Sequence, residues 1–350
     1  MNNSTITTNT SSITTDRPLS FSFSLKLKDS NLVTIEYESP HPFFTNNKHT
    51  ISRSLDEFLA LSTYFTKSYP QHIIPPIINT NNPLLFATYT TQYLEFISNH
   101  PILPFTKGFK IFLESEFSFV PPTSPNLIKK SKSFFSLIEP TTKDIDVYFD
   151  LAKMDLQSLH HHVAAIGKNN EKIGNTTKEL TKCYAEVASK SKDLSTLVDW
   201  VPLARLYHLD CDLMGKSSTF RLHTFNDQCV YILQGSMLAQ NALDYRLTTL
   251  TSYESACRST QKRLTAMEKL RASKSIPQDK VDSALEEMAV IKRIEEDARD
   301  LFKKTSDTLR HEFDAYRIQR NLFLESMLDN YVDEMKTSAI QLESFLRLID

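Results

Sequence analysis

Past Pro277 the chain runs to Asp350 without another proline or glycine. Nothing there breaks a helix, proline suits its first turn, and Asp279 stands where the positive end of the helix dipole favours an acid. Roughly seventy residues of helix, at about 1.5 Å each, make a rod of about 105 Å. No compact domain contains such a rod, so the chain must include an extended helical body. Within it Leu285, Met288, Ile291, Ala298, Leu301, Leu309, Phe313, Tyr316, Phe323 and Leu324 recur at spacings near three and four. That periodicity is the seam of a coiled-coil-like bundle.

Two earlier blocks, 142–200 and 218–272, also read as long helices, separated by Trp200-Val201-Pro202 and an interruption around Gly215. Three rods of similar length predict an antiparallel three-helix bundle, with a further apolar face open to a second subunit. Proline marks where this body begins. Thirteen of the 15 prolines fall between Pro18 and Pro140, and the break lies near PPTSPN (121–126).

The region before the break is mixed. FSFSLKLKDSNLVTIEYES alternates apolar and polar residues through Phe21, Phe23, Leu25 and Leu27, then Val33, Ile35 and Tyr37, which predicts a β-hairpin or meander. Residues 55–69 and 84–99 carry helical spacing, IIPPIINTNNP between them is a loop, and GFKIFLESEF is a third short helix. The first sixteen residues are a polar Ser/Thr/Asn tract with almost nothing to bury, and read as a disordered tail.

The totals exclude several classes. With 40 basic and 42 acidic residues the net charge is −2, so no global field argues for nucleic acid. Cys183, Cys211, Cys229 and Cys257 lie far apart with no C-x-x-C pair, and read as reduced intracellular thiols. The N-terminus lacks a signal-peptide pattern, and no stretch approaches eighteen apolar residues. Membrane contact is then expected to be peripheral.

A β-meander, an R-x-x-x-x-F helix start, a double-proline loop and SNHPIL, followed by three very long helices, resemble a sorting nexin built from a phox-homology (PX) domain and a BAR domain. GFKIFLESEFSFVP and LRASKSIPQDKVDSALEEM further resemble the fungal retromer subfamily of vacuolar protein sorting subunit seventeen. The resemblance implies an α+β PX domain over 17–122, a linker over 123–140 and an all-α dimeric BAR domain over 141–350, after a tail over 1–16. It implies a cytoplasmic protein on the cytosolic face of endosomes that senses or imposes curvature and supports endosome-to-Golgi transport. The implied partners are another PX-BAR sorting nexin as heterodimer mate, the retromer cargo-recognition subcomplex and anionic membrane.

PX domains that bind phosphatidylinositol 3-phosphate typically carry R-[YF]-x-[DE]-F, in which the arginine holds the 3-phosphate and the aromatic stacks under the inositol. Phe58 fixes the register here, so Ser54 stands at the arginine position and Leu55 at the aromatic one. Arg53 is one residue early, which predicts a side chain on the surface or capping a local acid. From Ser54 to Thr106, Lys67 is the only lysine or arginine. The pocket formed by Arg53, Ser54, Leu55, Phe58 and Lys67 is thus expected to be degenerate, with weak headgroup selectivity.

Two other stretches suit a bilayer. In NLIKKSKSFFSLIEP (126–140), Leu127, Ile128, Phe134, Phe135, Leu137 and Ile138 share one helical face while Lys129 and Lys132 lie opposite, with Lys130 near the edge. This is the pattern of an interfacial anchor, or of a linker helix packed on the bundle. The hairpin tip over 262–280 carries Lys262, Arg263, Lys269, Arg271, Lys274 and Lys280 against Glu268 and Asp279. Near an anionic leaflet each exposed base contributes about 1 kcal/mol. Lys168, Lys172, Lys178 and Lys182 could line the same surface.

Catalytic patterns are wanting. MGKSS (214–218) imitates the end of a phosphate-binding loop, but Asp210 stands where its first glycine belongs. His160, His161 and His162 are consecutive and point about 100° apart on a helix, and His208 and His223 lack ligand-spaced neighbours. No enzyme activity, metal or cofactor is expected. Two alternatives stay open: a self-sufficient phosphoinositide-binding homodimer, and a soluble helical scaffold using the PX fold for protein contacts.

Overall fold

The computed structural model of the chain describes residues 22–29, 32–39, 41–45, 48–80, 82–122, 146–194, 212–272 and 278–347. The expected tail over 1–16 and the amphipathic stretch over 126–138 lie outside the described residues, as do Cys211 and Lys274.

Strands β1 (Ser22–Asp29), β2 (Leu32–Glu38) and β3 (Lys48–Ser54) form an antiparallel meander in the order β1-β2-β3. The register pairs Ile35 with Ile51 and Val33 with Arg53. Because side chains alternate along a strand, Val33, Ile35, Tyr37, Ile51 and Arg53 all face the core. Helices α1 (Leu55–Ser68), α2 (Pro83–Asn99) and α3 (Lys107–Glu114) cover that face, with Phe58, Phe65, Tyr93, Leu94, Phe109 and Phe112 in one apolar cluster. Gly108 permits the closest approach: a Cβ there would fall 2.2 Å from the Tyr64 ring.

The rest is helical. α4 (Val147–Leu194) is antiparallel to a second long helix, and that helix to α7 (Gln278–Leu346). Contacts fix the register. The Arg246 guanidinium lies 3.8 Å from the Phe149 ring centroid and donates from Nε to Ser306 Oγ at 2.9 Å. Asn170 Nδ2 donates to the Arg221 carbonyl at 2.9 Å, and Arg221 Nη1 to Tyr331 Oη at 2.5 Å. Two apolar clusters fill the bundle, one around Phe149, Ala239, Leu309 and Phe313, the other around Val163, Phe225, Ile232 and Met327.

Two expectations need correcting. Gly215 does not interrupt the second helix, which begins earlier, as α5 over 212–219. The irregularity is a π-helical turn at Phe220–Phe225, continued by α6 (Asn226–Arg271). Gly174 of α4 lies beside that turn, where a Cβ would come within 2.8 Å of Leu222 Cγ. Second, Leu285 and Leu301 are each 49% exposed rather than sealed in a seam, although Met288, Leu309 and Phe313 are buried. The reason is length. α4 begins opposite Arg246, so among the described residues no third helix covers the last turns of α6 and the first turns of α7, which form a two-helix arm.

Candidate functional site: the Arg53 knot and the junction with the bundle

Arg53 sits on the inward face of β3 and is 2% exposed, not on the surface. Its Nε donates to the Phe112 carbonyl at 2.8 Å, Nη2 to the Ser115 carbonyl, and Nη1 to the Phe117 carbonyl at 2.9 Å and Glu57 Oε1 at 3.1 Å. The guanidinium also lies over the Phe112 ring. It therefore ties the chain leaving α3 to the start of α1, and its pairing with Glu57 is the local-acid contact. Burial pushes the guanidinium below its ordinary value, while the Glu57 charge and hydrogen bond push it back up.

Ser54 is equally committed. It is the N-cap of α1 and forms a capping box: its hydroxyl accepts from the Glu57 amide, and Glu57 Oε2 accepts from the Ser54 amide at 2.8 Å. Phe119 N–H also donates to Glu57 Oε1 at 2.6 Å. Burial would raise the Glu57 carboxyl, but these hydrogen bonds and Arg53 hold it below the usual carboxylate range. Leu55 and Phe58 belong to the apolar core, and Lys67 is exposed in the last turn of α1. Arg53, Ser54, Leu55 and Phe58 thus come together as the knot that closes the domain, and Lys67 stands apart from it.

At the hairpin tip Lys262, Lys269, Arg271 and Lys280 are exposed, and Arg263 is paired with Glu287. These residues lie in the last turns of α6 and the first turn of α7, at the end of the two-helix arm.

Sequence reading missed a third constellation, where the N-terminal α+β unit meets the bundle. Tyr89 of α2 stacks on Tyr231 of α6 with centroids 4.4 Å apart, and Phe323 of α7 packs against both rings. The double-proline loop is swallowed by this contact: Ile73 joins the bundle's apolar cluster while Ile74 and Ile77 join the core under the sheet. Thr80 donates to Asp227, and Asn82 Nδ2 to Thr224 Oγ1 in the π-helical turn at 3.4 Å. Behind this loop Glu312 of α7 receives two histidines of the N-terminal α+β unit. His72 Nδ1 is 2.9 Å and His100 Nε2 3.0 Å from the same Glu312 Oε1.

The hydrogens in this node follow from its neighbours. His100 Nδ1 accepts from the Ile102 and Leu103 amides at 3.1 and 3.2 Å, so the neutral ring carries its hydrogen on Nε2 and aims it at Glu312. Burial alone would raise the Glu312 carboxyl, yet the hydrogen bonds from His100 and His72, with the electrostatic pull of both rings, bring it from 4.5 down to about 2. His72, His100 and Glu312 are close enough to surround a metal ion, but the donors do not fit one. A metal-bound Nε2 must be bare, which would place a hydrogen on His100 Nδ1 facing two backbone N–H groups. The node is a hydrogen-bonded clamp between the two bodies. His72 and Glu312 are 240 residues apart, and no local pattern marks either.

Residues 125–345 match the family model described as Vps5 C terminal like. Among solved structures, the SNX-BAR Mvp1 tetramer, determined by cryo-EM, aligns with a TM-score of 0.57 at 13% identity, over 90% of this chain and 94% of that one. The Hof1p F-BAR domain aligns at 0.38 with 11% identity, over 59% of this chain and 87% of that one. The EFC/F-BAR domain of Drosophila Syndapin/PACSIN aligns at 0.23 with 10% identity, over 57% and 79%. No curated protein sequence matches. The fold is that of a PX-BAR sorting nexin, and among the described residues no helix is long and apolar enough to cross a membrane. With more than half its length matched by that model, the chain belongs to the Vps5 C-terminal-like family.

Proposed function

We propose that this chain is a retromer-type sorting nexin that dimerises through its helical body, binds and curves endosomal membrane from the cytosolic side, and supports endosome-to-Golgi transport. In this reading residues 17–122 are the PX domain, 123–140 the linker and 141–350 the BAR domain, and the chain stands with the fungal subfamily of vacuolar protein sorting subunit seventeen. Its partner is another PX-BAR sorting nexin, and the retromer cargo-recognition subcomplex binds the pair. No catalysis is involved.

The observation that carries the lipid part is the bonding of Arg53. Four of its contacts go to Phe112, Ser115, Phe117 and Glu57, which leaves little donor capacity for a phosphate. Ser54 is held in the capping box and Leu55 in the core, so among the described residues neither position supplies a cation to neutralise a doubly charged headgroup. The PX domain then serves as a docked structural unit. Membrane contact falls to the stretch 126–138 and to the exposed bases of the arm tip, whose charges a dimer doubles.

Liposome flotation of the pure protein, with and without a co-expressed sorting nexin, tests this. Binding that requires the partner supports the reading. Saturable binding by the chain alone, selective for phosphatidylinositol 3-phosphate, replaces it with the self-sufficient homodimer, and no binding in either case replaces it with the soluble scaffold. Phe134→Glu with Phe135→Glu should abolish tubulation while leaving dimerisation intact.

A further inference from the structure

Where α2 and α7 meet over α6 they leave a cleft of about 990 Å³. One wall is the face of α2 from Leu85 to Asn99, the other the face of α7 from His311 to Asn330, and buried Ile232 and Gly235 of α6 line its base. At about 1.5 Å per residue the two walls run about 21 and 28 Å. The interior is apolar and aromatic, with Leu85, Tyr89, Phe96, Tyr231 and Phe323. The rims are polar. Gln92 and Asn99 on one side, and Gln319 and Asn330 on the other, line the cleft and are exposed.

Several polar groups of this lining are uncompensated. The Tyr89 and Tyr316 hydroxyls and Gln228 Oε1 are shut from solvent and have no hydrogen-bond partner among the described residues; Tyr89 is 1% and Gln228 6% exposed. Glu312 is held by His72 and His100, and Arg320 Nη1 donates to Asp155 at 2.7 Å. Glu95 is different. It is half-buried, has no ion-pair partner among the described residues, and burial pushes its carboxyl above the ordinary value. Buried polar atoms are normally paired, and a partly desolvated carboxylate favours a cation beside it.

The chemistry of the cleft selects its occupant. With its one guanidinium committed and a free carboxylate on the wall, it disfavours phosphate and carboxylate ligands. A helix about 10 Å across and 21 Å long takes roughly 1,600 Å³, too much for the space. An extended chain, at about 3.3 Å per residue, spans the α2 wall in about six residues. Its N–H and C=O groups suit the carboxamides on both rims, which each donate and accept. Tyr89 and Glu95 lie six helical residues apart, or about 9 Å, which matches about three residues of extended chain.

We propose that this cleft binds an extended segment of a protein partner, about six residues long, whose large apolar side chain packs beside Tyr89, Tyr231 and Phe323 while a lysine or arginine three residues away pairs with Glu95. Since one wall belongs to the N-terminal α+β unit and the other to the bundle, the bound segment bridges the two. Segment binding here is independent of membrane binding, so failure of either leaves the other standing.

Fluorescence anisotropy with the purified full chain tests this. The probes are acetylated, amidated hexapeptides of serine carrying one phenylalanine and one arginine three positions apart, in both orders. One order should bind saturably, and replacing its arginine by glutamate should weaken binding about tenfold. Glu95→Gln should abolish that preference and Glu95→Lys should reverse it. Ala315→Trp, at an exposed position of the lining, should block every peptide while circular dichroism stays unchanged. No saturable binding in either order, or an arginine preference that survives Glu95→Lys, overturns the inference. So does phenethylamine binding as tightly as the peptide, since the site is then one for a small amine. If binding appears only after Phe134→Ser and Phe135→Ser, the chain's own linker is the occupant and the partner assignment falls. If it appears only when the chain is diluted to a monomer, a second copy fills the cleft, with the same consequence.

Discussion

Replacing Glu312 by alanine removes, in one step, the acceptor of two buried imidazole N–H groups. The carboxyl titrates near 2 in the folded chain against 4.5 ordinarily. A depressed carboxylate contributes stability that is fully present above its unfolded value and is lost as pH falls through the folded one. The window here therefore runs from about pH 4.5 down to about 2. At neutral pH the contribution is about 3 kcal/mol, and about 1.5 kcal/mol survives at pH 3. Two hydrogen bonds to a charged acceptor, at about 1.5–3 kcal/mol each before relaxation, give a similar figure. Urea unfolding of wild type and Glu312→Ala, followed by circular dichroism, should differ by about 3 kcal/mol at pH 7, and the gap should narrow on acidification. Hydrogen exchange locates the effect: the Ile102 and Leu103 amides, which bond to His100 Nδ1, should lose protection in the variant. Equal stabilities, or a gap independent of pH, would refute the clamp.

Arg53→Ala should destabilise the PX domain by about 3–5 kcal/mol, because it leaves three carbonyls and Glu57 without their buried partner. In flotation the folded fraction should keep the wild-type headgroup profile; a selective loss of phosphatidylinositol 3-phosphate binding would contradict the assignment. Gly108→Ala places a Cβ into the Tyr64 ring, so it should lower the melting temperature by several degrees despite alanine's better helix propensity. Reversing Lys262, Lys269, Arg271 and Lys280 together should cut binding to anionic vesicles at least tenfold, without altering the sedimentation coefficient.

What the sequence disclosed follows periodicity. Alternation in β1 and β2, the glycine- and proline-free tail and the clustering of prolines each report local rules, and they placed the first two strands, α1 to α3 and the three long helices within a few residues, while β3 (Lys48–Ser54) was not located. Properties that depend on distant partners were not legible. Arg53 looked like a stray base because its acceptors at Phe112, Ser115 and Phe117 lie 59 to 64 residues away. One local signal was available: Arg53 shares strand parity with the apolar Ile51, which marks the buried face. Leu285 and Leu301 fit the seam spacing yet stay half exposed, since periodicity says which face is apolar and not whether another helix reaches it. The expected interruption at Gly215 failed for a similar reason, the irregularity being the π-helical turn at Phe220–Phe225. Glycine flags a weak helix, whereas this turn accompanies Arg221, Thr224 and Leu222 meeting three other elements.

The central claim is that a PX-BAR body without a working PX pocket still shapes membrane. Electron microscopy of vesicles carrying anionic lipid but no phosphoinositide, incubated with the chain and a co-expressed sorting nexin, tests it most directly. The expected result is coated tubules of uniform diameter, formed equally well by a partnered complex in which Arg53 is replaced, provided that the variant folds. Vesicles that stay spherical, or tubulate only when phosphatidylinositol 3-phosphate is added and Arg53 is intact, would contradict it.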